Sequence, residues 1–222
     1  MIELPDFKKV WEYENNFWLS AETDRLAKVL SHYELFKMVK DLPGVFIECG
    51  MFKGVSFKRF AMMRELLMQP GGRVMIGFDA FGKFPGSQYE DDIPRIEKFE
   101  KNVGSEGIDI IQFKEILNRF NLGDHVELVK GDVSVTVPEY VKKKPELRIA
   151  LLNLDTDTYE PACTVLECLW PKIVPGGILV VDNYGVFPGE TKAVDDFMAR
   201  TGLIIKKFPF SYTPCFLIKE RM

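Results

Sequence analysis

The chain has little of what marks a metal module or a disulfide scaffold: two histidines and four cysteines in 222 residues. Cys49, Cys163, Cys168 and Cys215 form no C-x-x-C pair, and no Cys/His group has zinc-ligand spacing, so free thiols are expected. No apolar run approaches the ~20 residues that a membrane-spanning helix requires. The opening Met1-Ile2-Glu3-Leu4-Pro5-Asp6 carries no basic stretch followed by an apolar one. A cytoplasmic location and no membrane partner are therefore expected. Excess positive charge is also missing. Lys and Arg number 29 against 33 Asp and Glu, a formal net charge of -4. No overall field draws nucleic acid to such a chain. The one basic run, Lys142-Lys143-Lys144, is short enough to be a solvated helix end or loop. There is no internal repeat, and the dinucleotide fingerprint G-x-G-x-x-G is absent, which disfavours a nicotinamide dehydrogenase. His32 and His125 read as packing or surface residues. His32 reaches a site only if the N-terminal helices fold over it.

What is present is a chain 46% hydrophobic, enough for one substantial core and hence one domain over residues 1–222. Residues 6–42 carry Leu26, Val29, Leu30, Tyr33, Leu35, Phe36 and Val39 at helical spacing, which predicts one or two helices in an N-terminal cap spanning 1–44. Short apolar strands follow at 45–49, 74–78, 126–129, 149–154 and 178–181, with helices predicted at 56–68, 109–121, 159–170 and 191–200. Two last strands, near 203–208 and 215–219, are spaced for an edge hairpin. Continuous apolar strands alternating with helices indicate an α/β fold with a parallel sheet covered on both faces. Residues 80–105 read as too irregular for a packed element and long for a connection, which predicts an active-site lid. Within it, Glu90-Asp91-Asp92 reads as a helix N-terminus, where acids suit the dipole.

In an open α/β sheet, ligands bind beyond the carboxyl ends of the strands. Those ends carry Glu48 with Gly50 and Gly54, then Asp79, then Gly131-Asp132, then Asp155 with Asp157, then Asp182-Asn183. One such acid is most simply a cap or turn residue; five in succession ask for a ligand. Glycines at 50 and 54 let backbone approach that ligand. An acid before them opposes a pyrophosphate and suits a ribose or a cationic amino-acid end. Asp79 can accept from ribose hydroxyls, and Gly131-Asp132-Val133 can border an adenine. The pattern asks for a nucleoside without phosphates, as S-adenosylmethionine is. Asp155, Asp182 and Asn183 offer hard oxygens from two strand ends, the ligand type Mg²⁺ prefers, which would place an acceptor hydroxyl and lower its pKa. Asp157 lies where it can be a general base or cap the helix that follows.

These segments resemble known enzymes. Glu48-Cys49-Gly50-Met51-Phe52-Lys53-Gly54-Val55-Ser56 is similar to the cofactor loop of metal-dependent O-methyltransferases, catechol O-methyltransferase among them. Gly77-Phe78-Asp79-Ala80-Phe81-Gly82-Lys83-Phe84-Pro85, Leu154-Asp155-Thr156-Asp157-Thr158-Tyr159-Glu160, Pro175-Gly176-Gly177-Ile178, Val181-Asp182-Asn183-Tyr184 and Lys192-Ala193-Val194-Asp195-Asp196-Phe197 resemble the macrocin O-methyltransferase (TylF-like) family of sugar O-methyltransferases. The resemblance covers residues 44 to 200. It implies a Rossmann-like class I methyltransferase fold with a seven-stranded, mostly parallel sheet and an antiparallel edge hairpin. It also implies S-adenosylmethionine, Mg²⁺, a sugar hydroxyl acceptor on a nucleotide sugar or glycosylated natural product, and a homo-oligomer. Carried over, the cofactor would lie against Glu48, Gly50, Met51, Phe52, Gly54, Ser56, Asp79, Ala80, Phe81, Gly131, Asp132, Val133 and Asp155. Asp155, Asp182 and Asn183 would hold metal, and Asp157 would be the base. Family members often have Asp-Asp where this chain has Asp182-Asn183, which removes one negative charge, and Gly where it has Thr156. Two alternatives remain: an O-methyltransferase of catechols or small phenols, and a non-catalytic S-adenosylmethionine-binding protein.

Overall fold

The computed structural model describes residues 1–84 and 86–220. Six strands form one sheet in the order β3-β2-β1-β4-β5-β6. They are β1 (Val45–Cys49), β2 (Met75–Asp79), β3 (Val126–Lys130), β4 (Ile149–Leu154), β5 (Ile173–Val181) and β6 (Cys215–Ile218). β1 to β5 run parallel and β6 pairs antiparallel with β5. β4 is buried at every position, as its unbroken apolar run requires in a sheet covered on both faces. Strand order reverses between β1 and β4, which opens a crevice at their carboxyl ends.

Among the described residues eight α-helices surround the sheet: α1 (Val10–Ser20), α2 (Thr23–Val39), α3 (Val55–Leu67), α4 (Ile93–Val103), α5 (Ile110–Arg119), α6 (Val133–Lys143), α7 (Tyr159–Leu169) and α8 (Pro188–Thr201). On one face Phe36, Phe57, Phe60 and Phe113 from α2, α3 and α5 pack on Phe46, Leu151 and Val180. On the other, Val137, Val165, Leu166 and Val194 from α6, α7 and α8 pack on Ile47, Leu152 and Leu179. Successive strand residues face opposite ways. Glu48 therefore follows Phe46, Asn153 follows Leu151 and Asp182 follows Val180, all toward α2 and α3.

The structure departs from the expectations in four places. Among the described residues the sheet has six strands, not seven. Residues 203–208 contribute only a two-bond bridge, Lys206 to Phe216, because Ile204 points to solvent and Pro209 has no N–H to extend the ladder. Residues 80–105 hold a 3-10 turn, Glu90–Asp92, that leads into α4. α6 was not expected; Pro138 inside it hides the pattern, and Lys142 and Lys143 are its solvated end. α2 buries Ala27, Ser31, His32, Leu35, Phe36 and Val39, while Leu26 and Leu30 are exposed. α1 buries none of its residues. All four cysteines are free. Among the described residues no helix is long and apolar enough to cross a membrane.

Candidate active site

The loop after β1 turns at Gly50, whose φ is +84°. A Cβ there would lie 2.0 Å from the Asp155 carbonyl oxygen, so only glycine lets the β1 and β4 loops meet. Asp79, at the end of β2, organises the same loop. Its Oδ2 accepts the N–H groups of Met51 (2.6 Å) and Phe52 (2.9 Å), and its Oδ1 accepts that of Phe81 (2.6 Å). A carboxylate has about four acceptor positions, so one remains for a ligand. Gly50, Phe52, Asp79, Ala80, Gly131, Asp132, Val133 and Asp155 line one cleft of about 150 Å³. Asp132 also caps α6 through the Ser134 N–H, at 2.8 Å.

Five expected cofactor residues lie off this cleft. Met51 and Phe81 turn their side chains into the core and lend only backbone N–H groups to Asp79. Gly54 precedes α3 and backs onto the Phe113 ring. Glu48 is fully buried on the α2–α3 face, where its Oε1 accepts from the Ser56 hydroxyl at 2.5 Å. Burial pushes the Glu48 carboxyl up to about 8. Strand alternation is the cause: it aims Glu48 beneath the loop rather than along it.

A second cavity, of about 450 Å³, is lined by Gly50, Phe52, Asp155 and Asp157, the same residues that edge the cleft, and by Ser56 and Asn183. Arg25 and Lys28 of α2, Arg59 of α3 and Arg95 and Phe99 of α4 form its sides. At its floor the Asn183 amide nitrogen donates to Asp155 Oδ1 and Asp157 Oδ1, both at 2.7 Å. Glu190, fully buried at the start of α8, ties the two loops together. Its oxygens accept the Asp157 N–H and the Asn183 N–H, each at 3.0 Å. Asp157 itself has φ +65°, a left-handed backbone held by these contacts. Burial, then the charge of Asp182, pushes the Asp157 carboxyl up to about 8. The same causes raise Asp155 well above the usual carboxylate range.

Asp182 is closed off from above by α2. Its Oδ2 takes the Lys28 ammonium and its Oδ1 lies 3.0 Å from His32 Nε2. Arg59 Nη1 lies 3.1 Å from His32 Nδ1. A guanidinium only donates. Nδ1 therefore carries the lone pair, Nε2–H donates to Asp182, and His32 is neutral. Burial lowers the His32 pKa, in the same direction. Burial would raise the Asp182 pKa, but Lys28 and His32 hold it below the usual range. Burial would lower that of Lys28, and Asp182 and Asp155 more than reverse it.

With these loops in view, the chain can be set beside known proteins. Residues 23–207 match the macrocin O-methyltransferase (TylF) family model. The chain belongs to that family. Over 167 residues it is 28% identical to the 8-demethyl-8-(2,3-dimethoxy-alpha-L-rhamnosyl)-tetracenomycin-C 4'-O-methyltransferase of Streptomyces olivaceus, covering 73% of this chain and 60% of the relative. It is 26% identical to the mycinamicin III 3''-O-methyltransferase of Micromonospora griseorubida, covering 73% of this chain and 63% of that one. The chain thus spans about 60% of the length of these curated relatives. Among solved structures, the calicheamicin methyltransferase CalS11 superposes with a TM-score of 0.77 at 29% identity, covering 94% of this chain and 84% of that one. The class I methyltransferase fold expected from the sequence is the fold of this TylF family member.

The expected magnesium donors do not converge as they stand. Both Asp182 oxygens are engaged by Lys28 and His32, and the Asn183 nitrogen, not its oxygen, faces Asp155 and Asp157. Among the described residues no three His, Cys, Asp or Glu side chains gather to hold a metal ion. Sequence reasoning missed Lys28, Arg59 and Glu190, and admitted His32 only on the condition, met here by α2, that the N-terminal helices fold over the site. The i, i+4 spacing of Lys28 and His32 on a helix expected to cap the fold was the available signal.

Proposed function

We propose that this chain is an S-adenosylmethionine-dependent O-methyltransferase acting on a sugar hydroxyl of a small molecule. The observation that carries the proposal is the meeting of two cavities at Gly50, Phe52, Asp155 and Asp157. A donor in the cleft and an acceptor in the larger cavity would share only that wall. The named activities of the relatives, methyl transfer to sugar hydroxyls of glycosylated products, favour the same chemistry. When bound, S-adenosylmethionine supplies an electrophilic methyl group. Asp79 keeps one acceptor position for a ribose hydroxyl, and Asp132 and Val133 border the far end of the cleft. In the cavity, Asp157 Oδ1 is held by Asn183, and Asp157 accepts the hydroxyl proton as the new oxygen–carbon bond forms. Positive charge beside the acids comes from Lys28 and from Arg95. Much of the rate gain comes from holding both reactants across one short wall. Residues 80–105 act as a lid: Lys53 Nζ bonds the Val103 carbonyl at 2.8 Å, and Phe99 packs 5.2 Å from Phe52, which draws α4 over the cavity. A cytoplasmic homo-oligomer with no nucleic-acid or membrane partner completes the proposal.

The test is transfer of labelled methyl from S-adenosylmethionine to a panel of deoxyhexosides, nucleotide sugars and catechols. Label on a sugar oxygen is expected. Label on catechols alone would replace the sugar by the flat acceptor that Phe99 and Phe187, which also line the cavity, are able to cover. No transfer, with S-adenosylhomocysteine still bound, would leave a non-catalytic binding protein.

A further inference from the structure

Four acids, Asp155, Asp157, Asp182 and Glu190, gather at and beneath the floor of the acceptor cavity. Asp182 and Glu190 are fully buried and Asp157 nearly so, at 7% exposure, and Asp155 lies beside them. Burial opposes ionisation of each, so an acid that is ionised here needs a cation beside it. Arg25, Arg59 and Arg95 line the sides, and Lys28 is the cation bonded directly to one of these acids, Asp182. We propose that the Lys28 ammonium is the resident cation of this acceptor site and stands where a divalent metal ion would otherwise bind.

Three features build that position. Lys28 and His32 lie one turn apart on α2 and both reach Asp182, so the packing of α2 on the sheet delivers the ammonium as part of the fold. His32 is held as a donor by Arg59, so Asp182 has one oxygen committed to a neutral N–H and the other to Lys28. A metal ion can take Asp182 only by expelling Lys28. The third feature is Asn183. Its amide nitrogen bridges Asp155 and Asp157. Turning the amide to offer oxygen to a metal would set that oxygen against both carboxylates. Both Asp182 oxygens are thus taken by α2, and Asn183 commits its nitrogen to Asp155 and Asp157.

The chemistry follows from the ammonium. It has three N–H groups, and Asp182 takes one. Those remaining face a cavity whose wall Lys28 shares with Asp155 and Asn183. There they can bind the acceptor oxygen and stabilise it as its proton leaves for Asp157. This role rests on the methyltransferase reading; the cation site itself does not.

The experiment is calorimetric titration of Mn²⁺ into the full chain and into Lys28→Met, each also titrated with S-adenosylhomocysteine. The unmodified chain is expected to show no saturable Mn²⁺ binding below about 1 mM, a range in which dedicated oxygen sites bind divalent ions. Lys28→Met is expected to gain saturable binding at least about tenfold tighter, since one repelling charge has gone. Lys28→Gln serves the same purpose should the Met variant not fold. Submillimolar binding by the unmodified chain would overturn the proposal. So would absence of binding in both proteins, because Lys28 would then not be standing in a cation site. Loss of S-adenosylhomocysteine binding by the unmodified chain would instead defeat the methyltransferase reading, whatever Mn²⁺ does.

Discussion

Arg59 decides the tautomer of His32, and His32 in turn fixes one oxygen of Asp182. Long-range nitrogen–proton NMR at neutral pH is expected to show His32 protonated at Nε2 and bare at Nδ1. A doubly protonated ring would break the Arg59–His32–Asp182 chain. Asp157 gives a second expectation. A base must be ionised, and burial holds this carboxyl up at about 8. kcat/KM should therefore rise through pH 8 and level above it, with the apparent value belonging to the acid cluster as a whole. Asp157→Asn should lower kcat by about 10²- to 10⁴-fold, leave S-adenosylhomocysteine affinity unchanged and abolish that rise. Full activity in the variant would move the base elsewhere. At this scale the sequence was partly legible. The acids at the strand ends stand out because five strands end alike. What each acid bonds to was not visible, since partners such as Lys28 and Glu190 lie far away along the chain.

The elements are held in register by backbone groups that few side chains can replace. Gly50→Ala would put a methyl group 2.0 Å from the Asp155 carbonyl oxygen at a φ of +84°. It should cost at least about 1–3 kcal/mol of stability by denaturant titration and lose cofactor affinity. An unchanged protein would mean that the two loops do not touch. Asp92 acts similarly between elements. Its Oδ1 accepts the Gly189 N–H at 2.7 Å and its Oδ2 the Tyr159 N–H at 3.1 Å, so one buried acid serves the first turns of α8 and α7. Asp92→Ala should cost about 1–3 kcal/mol, read as a fall in unfolding free energy. The run Glu90-Asp91-Asp92 did suggest a helix N-terminus. That Asp92 would serve two other helices was not readable, because the pairing depends on how α7 and α8 pack.

The molecule as a whole was the most legible scale. Apolar strands with intervening helices gave the parallel sheet, and the turn glycines gave its carboxyl-end crevice. The losses came at the edges. The segment before Pro209 has strand-like residues but no neighbour beyond β6, and a propensity without a partner makes only a bridge. α4 and α6 are disguised by acids and by Pro138. The central claim concerns the crevice between β1 and β4, and its most direct test is calorimetric titration of the purified chain with S-adenosylhomocysteine. Saturable binding to one site, weakened by Asp79→Ala, is what a cofactor cleft there predicts. Absence of binding in folded protein free of carried-over cofactor would contradict it.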